Sequence, residues 1–451
     1  MNFSERLNSV IPGGAHTYSR GDDQFPSNAP HILARGEDAY VWDGNGKMYL
    51  DYGMALRAVT LGYANEKINN AAIKQINNGV NLTRASTIEL EAAELIVDLI
   101  PSAEMVKFAK NGSNVTTAAV KIARAYTGRN YVCFPRQQPF FSFDDWFIGS
   151  TPLTRGIPKE HTKYSLPFDY NDIKSLEKQF EEHPNKIACV IMEPATTITP
   201  CSKDCDRTKT LDTNCAQCPN NKFNFLHKVK ELCHKNNALF ILDEMITGFR
   251  WHLQGAQTWF GIEPDMSTFG KGMANGFSVA ALSGKKEFMN LGGIKEEGME
   301  RTFLVSTTHG AEMPALGAFV ETVNFYNENN VINHLWKYGK DLFEGINDIS
   351  KGLGLLDYFY VDGGYAIMNY VAKDRDGKIS LPLRTLFSQE MIKNGVLFPW
   401  IAISYSHNDV ELEKTLYAIK KSLIVYKKAL DEGIDSYLQG TVIKPVFRKH
   451  N

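Results

Sequence analysis

Short apolar runs and longer amphipathic stretches alternate through the middle of the chain. MVKFA, YVCF, ACVIM and ALFIL are short, largely apolar segments of strand length, the pattern of buried strands. Between them, NVTTAAVKIARAYTG and FNFLHKVKELCHKNN repeat their apolar positions at helical spacing, as does the stretch from about Ile88 to Leu99. Alternation of this kind predicts an α/β domain on a mainly parallel central sheet. Earlier, AYVWDGNGKMYLDY places two β-type runs around Asp43-Gly44-Asn45-Gly46, a hairpin signal. The segment before it is rich in Gly, Pro, Ser and Asn and reads as an arm or loop. From about Val320 the character changes. A long helical stretch, VETVNFYNENNVINHLWKYGKDLFEGINDIS, leads to short strands around YFYVDGGYAIMNYVA, a helix in LRTLFSQEMIKNG, the run VLFPWIAIS and a closing helix from Asp409. The expected organisation is an arm and hairpin over 1–60, packed with the small domain; a large domain over 61–319; and a smaller α+β domain over 320–451.

A length of 451 residues exceeds what one core usually fills, which fits two domains. Lys and Arg total 49 against 51 Asp and Glu, for a net charge of -2. That balance lacks the basic excess behind nonspecific nucleic-acid binding. With 43% hydrophobic residues the chain is too apolar to be disordered. No apolar run approaches the ~18 residues that span a bilayer, so no membrane partner is expected. The start, MNFSERLNSV, does not read as a signal peptide. The seven cysteines are an odd number, and with no secretion signal they point to the reducing cytoplasm, not to a disulfide framework.

Three weak signals become informative together. In ALFILDEMITGFR, Asp243 follows an apolar strand, where open α/β sheets bind ligands. Alone it reads more readily as a loop Asp paired with Arg250. In MSTFGKGMANGFSVAALSG, Lys271 stands between Gly270 and Gly272; alone this is more often a surface turn, but a lysine near a cofactor can form a Schiff base. In KNGSNVTTAAVKIARAYTGR, Gly112, Ser113 and Asn114 open an amphipathic helix, which offers either a phosphate cradle or a simple N-cap by Ser113 or Asn114. A phosphate cradle, a strand-end Asp and a Gly-flanked Lys are what pyridoxal phosphate requires: a cup, a partner for the pyridine nitrogen and a covalent anchor.

The chain resembles the class III aminotransferases of fold type I, most closely the glutamate-1-semialdehyde 2,1-aminomutase branch. The likeness runs through IPGGAHTYSR, AYVWDGNGKMYLDY, NGSNVTTAAVKIARAYTGR, IMEPA, LDEMITGFR, GKGMANGFSVAALSG and STTHGAEMPALGA. It implies a fold type I transferase in which Lys271 anchors pyridoxal 5'-phosphate and moves the proton. Asp243 then pairs with the pyridine nitrogen, and Gly112, Ser113 and Asn114 bind the phosphate. Thr307 resembles the family's threonine that reaches the neighbouring subunit's phosphate, which implies a homodimer with shared active sites. Glu193, in IMEPA, has a supporting place. The function implied is amino-group transfer from an amino-acid donor to a carbonyl acceptor; intramolecular aminomutation to 5-aminolevulinate is the alternative.

Departures from the family bear on substrate. QPFFSFDDWF stands where the family has an aromatic-His-Gly stretch, so Phe140 takes the ring-stacking place and Phe141 that of the histidine. Arg20, in GGAHTYSRGDD, matches the arm arginine that holds the aminomutase substrate's carboxylate, with Tyr18 and His16 beside it. NGVLFPWIAISYSHND lacks the aminomutase's Glu and offers Trp400 and Ile401 instead. These departures favour an acceptor unlike glutamate semialdehyde, a keto-sugar among the candidates. The segment PCSKDCDRTKTLDTNCAQCPNNK, in the insert 200–222, is additional to the family pattern and too polar to fold around a core of its own. Its C-x3-C-x9-C-x2-C spacing suits four thiolates, Cys201, Cys205, Cys215 and Cys218, around a structural Zn2+; an iron–sulfur cluster or a loop of free thiols are the alternatives.

Overall fold

The computed structural model describes residues 2–200 and 224–451. The chain divides into two compact units, one formed by Met1–Asn65 with Asn333–Asn451 and one by Glu66–Ile332. The described strands are β1 (Leu33–Glu37), β2 (Tyr40–Asp43), β3 (Met48–Asp51), β4 (Met105–Ala109), β5 (Tyr131–Pro135), β6 (Ser165–Phe168), β7 (Ile187–Met192), β8 (Leu239–Asp243), β9 (Met266–Phe269), β10 (Ala280–Gly284), β11 (Phe359–Gly364), β12 (Ile367–Ala372) and β13 (Val396–Leu397).

The 66–332 unit is built on a seven-stranded sheet in the order β4-β10-β9-β8-β7-β5-β6. β10 runs antiparallel to both its neighbours, while β5 to β9 pair in parallel. The four apolar runs MVKFA, YVCF, ACVIM and ALFIL are the cores of β4, β5, β7 and β8, which is the α/β architecture the alternation predicts. Every residue of β7 and β8 is buried, as expected of strands covered on both faces. Helix Gly112–Thr127 lays Val115, Ala118, Ala119, Ile122 and Ala123 against the sheet, where small residues permit close approach. It ends at Gly128 in the left-handed region, φ 68°, where a Cβ would be penalised.

The stretch from Val320 is not one long helix. Helix Met313–Asn329 stops at Asn330, φ 51°, and helix Val331–Gly352 begins after it. Asn tolerates the left-handed conformation better than other residues with a Cβ, and the Asn pair is the signal that the helical periodicity concealed. Helix Met313–Asn329 packs on helices Glu66–Asn77 and Thr87–Leu99, so the division between units falls after Ile332 and not near Val320.

In the other unit β1, β2 and β3 form an antiparallel meander, with β13 parallel beside β3. The Asp43 carboxylate accepts from the N–H groups of Asn45 and Lys47 (both 2.9 Å) and closes the hairpin turn between β2 and β3. The β11–β12 hairpin packs on helices Leu381–Lys393 and Asp409–Glu432 through Phe359, Tyr370, Phe387 and Tyr426. Their ring centroids lie 4.5 Å (Phe359–Phe387), 4.9 Å (Tyr370–Phe387) and 5.6 Å (Phe359–Tyr426) apart. No helix among the described residues is long and apolar enough to cross a membrane.

Candidate active site

In the 66–332 unit, β4, β5, β7, β8 and β9 all end on one edge of the sheet, and Gly112–Asn114, Asp243 and Lys271 follow the ends of β4, β8 and β9. Asp243 is the last residue of β8 and is 3% exposed, so it is a strand-end carboxylate and not a loop group. Its Oδ1 accepts from the Met245 N–H and the Thr268 hydroxyl, both at 3.0 Å. Burial pushes its pKa up to about 6, against the pull of the Met245 N–H, the Lys271 charge and the Thr268 hydroxyl. The next residue, Glu244, is fully buried and serves structure. Its carboxylate accepts from the Thr247 hydroxyl (2.6 Å) and the Ala256 and Gln257 N–H groups (2.9 and 2.8 Å), which closes the loop that follows.

Lys271 comes from the neighbouring strand, immediately beyond β9 and Gly270, and opens a single 3-10 turn, Lys271–Ala274. Its φ of 44° is unusual for a residue with a Cβ, the kind of local strain that clusters at functional sites. Asn275 (φ 45°) and Gly276 (φ 96°) continue the sharp course of the backbone.

Helix Gly112–Thr127 points its N-terminus from the end of β4. Its cap is Asn111, which sequence reasoning passed over: Asn111 Oδ1 accepts from the Asn114 N–H at 3.1 Å. The Asn114 N–H is thereby engaged in the cap, and Gly112 and Ser113 are left to supply the N–H groups of the open first turn. The Ser113 hydroxyl is buried and accepts from the Phe143 N–H (3.0 Å), so its own proton is directed elsewhere.

Two further residues were not foreseen. Met245 fills the space between Gly112 and Gly270: a Cβ at Gly112 would lie 2.9 Å from its Sδ, and one at Gly270 2.6 Å. Gln138, 1% exposed, forks onto the backbone of Glu193, donating to its carbonyl (2.9 Å) and accepting from its N–H (2.8 Å). That fork pins the Phe140 loop to the end of β7. Neither residue stands out in sequence, since an apolar side chain after a strand and a glutamine in a loop are ordinary.

Phe141 belongs to the core, 2% exposed and edge-on to Phe134 and Phe147, whereas Phe140 is 48% exposed. The two phenylalanines therefore divide: Phe140 is about half exposed and meets Phe147 edge-on, with centroids 6.0 Å apart. Thr307 lies in the exposed run Ser306–His309, which is tethered by Asn81 Nδ2 to the Thr308 carbonyl (2.8 Å) and followed by Glu312, paired with Lys110 and His309.

Arg20 and Tyr18 are in the other unit, on the 3-10 turn Tyr18–Arg20. Arg20 lines a cavity of about 700 Å³ together with Asp51, Tyr63 and Trp400, while Tyr18 is outside its wall and 66% exposed. Beside Arg20, four successive residues, Met54–Arg57, have φ between 39° and 67°. The buried Asp51 carboxylate holds that turn, accepting from the N–H groups of Gly53 (2.7 Å) and Met54 (3.0 Å) and from the Tyr63 hydroxyl (2.7 Å). Burial raises the pKa of Asp51, and burial with the charge of Asp51 raises that of Tyr63.

Cys201, Cys205, Cys215 and Cys218 lie outside the described residues. Among the described residues no group of three or more His, Cys, Asp or Glu is placed to hold a metal.

The sequence profile of the family described as Aminotransferase class-III matches residues 22–198 and 219–356. The chain belongs to the class III aminotransferases. The match breaks over the segment that carries the four clustered cysteines. Among its relatives, a glutamate-1-semialdehyde 2,1-aminomutase of Alkaliphilus oremlandii (strain OhILAs) is 30% identical over 94% of this chain and 98% of its own. A 3-aminobutyryl-CoA aminotransferase of Cloacimonas acidaminovorans (strain Evry) is also 30% identical, over 95% of this chain and 98% of its own. In three dimensions the PLP form of the FumI protein from Sphingopyxis sp. MTA144 superposes with a TM-score of 0.81 at 25% identity, covering 97% of each chain. This class III aminotransferase thus has the fold type I architecture that its motifs imply.

Proposed function

We propose that the aminotransferase works at the edge built by Asp243, Lys271 and the Gly112–Ser113 helix start, on an amino-acid donor and a carbonyl acceptor. The observation that carries this reading is Asp243. It is a buried carboxylate at the end of β8, held by the Met245 N–H and the Thr268 hydroxyl with the Lys271 charge near it, and burial still pushes its pKa up to about 6; a protonated pyridine nitrogen would add the close cationic partner that offsets this. The other residues fit pyridoxal phosphate equally: a helix N-terminus opened by Gly112 suits its phosphate, and Lys271 on the next strand suits covalent attachment. When bound, the cofactor supplies the electron sink that makes the substrate's Cα–H acidic.

The chain's own residues then divide the work. Asp243 holds the ring nitrogen protonated. The Gly112 and Ser113 N–H groups and the Ser113 hydroxyl hold the phosphate, with the Asn114 side chain beside them. Lys271 Nζ would hold the cofactor covalently and, when free, would take the proton from the substrate's Cα as general base and return it as general acid. Phe140 covers one ring face. Thr307 completes the phosphate site of a second copy in a homodimer, a role supported by the exposure of Ser306–His309. Arg20, with Tyr18 near it, grips a substrate carboxylate.

A larger acceptor such as a keto-sugar is supported by the apolar Trp400 and Ile401 where the aminomutase has its Glu. The second reading is the intramolecular aminomutase. It is supported by Arg20 and by the name of the Alkaliphilus relative, and opposed by the missing Glu in NGVLFPWIAISYSHND. Half-reactions decide: the visible band of the lysine-bound cofactor should bleach with one amino acid and return with a distinct carbonyl compound. Turnover of glutamate-1-semialdehyde to 5-aminolevulinate as the fastest reaction would establish the second reading instead.

In this reading the enzyme resides in the cytoplasm. Cys133, Cys189 and Cys233 are free and buried, with thiols whose pKa burial raises. Cys201, Cys205, Cys215 and Cys218 hold a structural Zn2+, supported by their spacing and by the break in the family match at that segment. Metal analysis should find about one zinc per chain, and less than about half an equivalent of any metal would remove the site.

A further inference from the structure

In the unit that carries Arg20, the residues after the last helix do not trail into solvent. Helix Asp409–Glu432 ends at Gly433, and the tail beyond it returns to the N-terminal arm. The Gln24 side chain donates to the Lys444 carbonyl (2.9 Å), and the Lys444 N–H donates to the Asp23 carbonyl (2.9 Å). The Ser27 hydroxyl donates to the Gln439 carbonyl (2.8 Å), at a place so tight that a Cβ on Gly440 would lie 2.2 Å from Ser27 Oγ. Gly440 has φ 80° as well, so both space and conformation require glycine. Arg448 closes the run with an ion pair to Asp23 at 2.5 Å, its side chain 25% exposed and that of Asp23 34%.

Arm and tail share one anchor. Gln389, on helix Leu381–Lys393, is fully buried, and its amide holds the tail from both sides: it donates to the Tyr437 carbonyl (3.0 Å) and accepts from the Gln439 N–H (2.7 Å). The Gln389 carbonyl meanwhile accepts from Asn28 of the arm (3.0 Å). Thr385, one turn earlier, accepts from the Ile443 N–H (3.1 Å).

The arm needs such support. Between helix Phe3–Val10 and β1 it holds only two 3-10 turns, Tyr18–Arg20 and Asp22–Gln24, with no buried residue in either. Yet Arg20, Asp22, Phe25 and Ser27 form one wall of the 700 Å³ cavity, and Thr441 of the tail joins them. Part of the arm's order comes from Phe25 and Ala29, packed with Val41, Tyr49, Ile392 and Leu397, and from Asp22, which accepts from Ser4 and Asn8 of the first helix; the turn that carries Arg20 itself buries no side chain and leans on the tail for the rest.

We infer that the tail, through Gln389, Asp23 and Arg448, is a strap that positions Arg20 for substrate. This rests on the reading of Arg20 as the carboxylate grip; Asp23, Gln389 and Arg448 are positioning residues that do not themselves touch substrate.

The test uses the full-length holoenzyme and the variants Arg448→Ala, Asp23→Asn and Gln389→Leu, with Arg448→Lys as the conservative rescue and Arg20→Ala as the control. Hydrogen exchange is read over peptides spanning residues 14–28, and KM and kcat are read with whichever of L-glutamate and L-aspartate bleaches the cofactor band faster. The strap predicts faster exchange in the arm, a rise of about three- to fivefold in KM, a kcat within about twofold and an unchanged cofactor band, with partial recovery in Arg448→Lys. Unchanged arm exchange in both Arg448→Ala and Gln389→Leu overturns it. So does faster exchange with an unchanged KM when Arg20→Ala raises KM. An unchanged KM in Arg20→Ala itself overturns the carboxylate grip instead, and arm exchange alone then decides whether the tail orders the arm.

Discussion

Replacing Asp243 by Asn separates what burial costs this enzyme from what it gains. The Asp243 carboxyl rises from 3.8 to about 6 because it is buried. At 1.36 kcal/mol per pH unit that is roughly 3 kcal/mol against the ionised form in the cofactor-free protein. The sign follows from proton binding. Between the two values the folded state holds the proton and the unfolded state has released it, so stability from this group is complete below about pH 4 and falls as pH climbs through 6. Asn carries no proton and keeps an oxygen for the Met245 and Thr268 donors, at about 1 kcal/mol for an amide N–H left without an acceptor. Cofactor-free Asp243→Asn should therefore be more stable than the parent at pH 8 by about 2 kcal/mol, and the advantage should shrink to about 0.5 kcal/mol by pH 5. Differential scanning fluorimetry across pH 5–8 reads this as a few degrees of melting temperature. The loaded enzyme should move the other way, with turnover down at least about 100-fold, because the ring nitrogen loses its anionic partner. A variant less stable at pH 8, or a difference that does not change with pH, would refute the claim that burial holds Asp243 ionised at a cost.

Lys271→Ala should abolish both turnover and the visible band of the bound cofactor, and survival of either contradicts its role. Gly270→Ala tests the space and not the backbone, since a φ of 177° suits any residue: the new Cβ meets Met245 Sδ at 2.6 Å. It should cost about 1–3 kcal/mol in chemical denaturation, and Met245→Ala in the same chain should return part of that. Gln138→Leu removes both bonds to the Glu193 backbone and leaves a buried N–H and carbonyl unanswered, at about 1–3 kcal/mol. Cofactor dissociation, followed by loss of the visible band on dilution, should quicken with it; an unchanged rate would mean that the Phe140 loop needs no such anchor.

Four of the seven strands of the main sheet were readable because they are plain, largely apolar runs; β6, β9 and β10 were not. A strand buried on both faces is mostly apolar, as ALFIL and ACVIM are, whereas β9 hides Ser267 and Thr268 in the same sheet and gives no such run. The break at Asn330 was not readable, because the residues on either side continue the same helical period and only one backbone angle interrupts them. At the site, Asp243 and Lys271 were weak signals singly, and it was their combination with the helix start and the family resemblance that singled them out. Met245, Gln138 and Asn111 gave no signal, since each acts on groups distant in sequence or on its neighbours' backbone.

Sequence alone thus determined the kind of chemistry: which residues carry charge, which are free of a Cβ, and in what order strands and helices follow one another. Those properties are local and survive in the unfolded chain. Tertiary structure decided the rest. It brought the ends of β4, β8 and β9 to one edge, buried Asp243 deeply enough to raise its pKa to about 6, and set Met245 between two glycines far apart in sequence. It also folded the tail back onto the arm through Gln389, Asp23 and Arg448. Burial and long-range hydrogen bonding depend on what the fold places alongside a residue, and no window of sequence contains that neighbour.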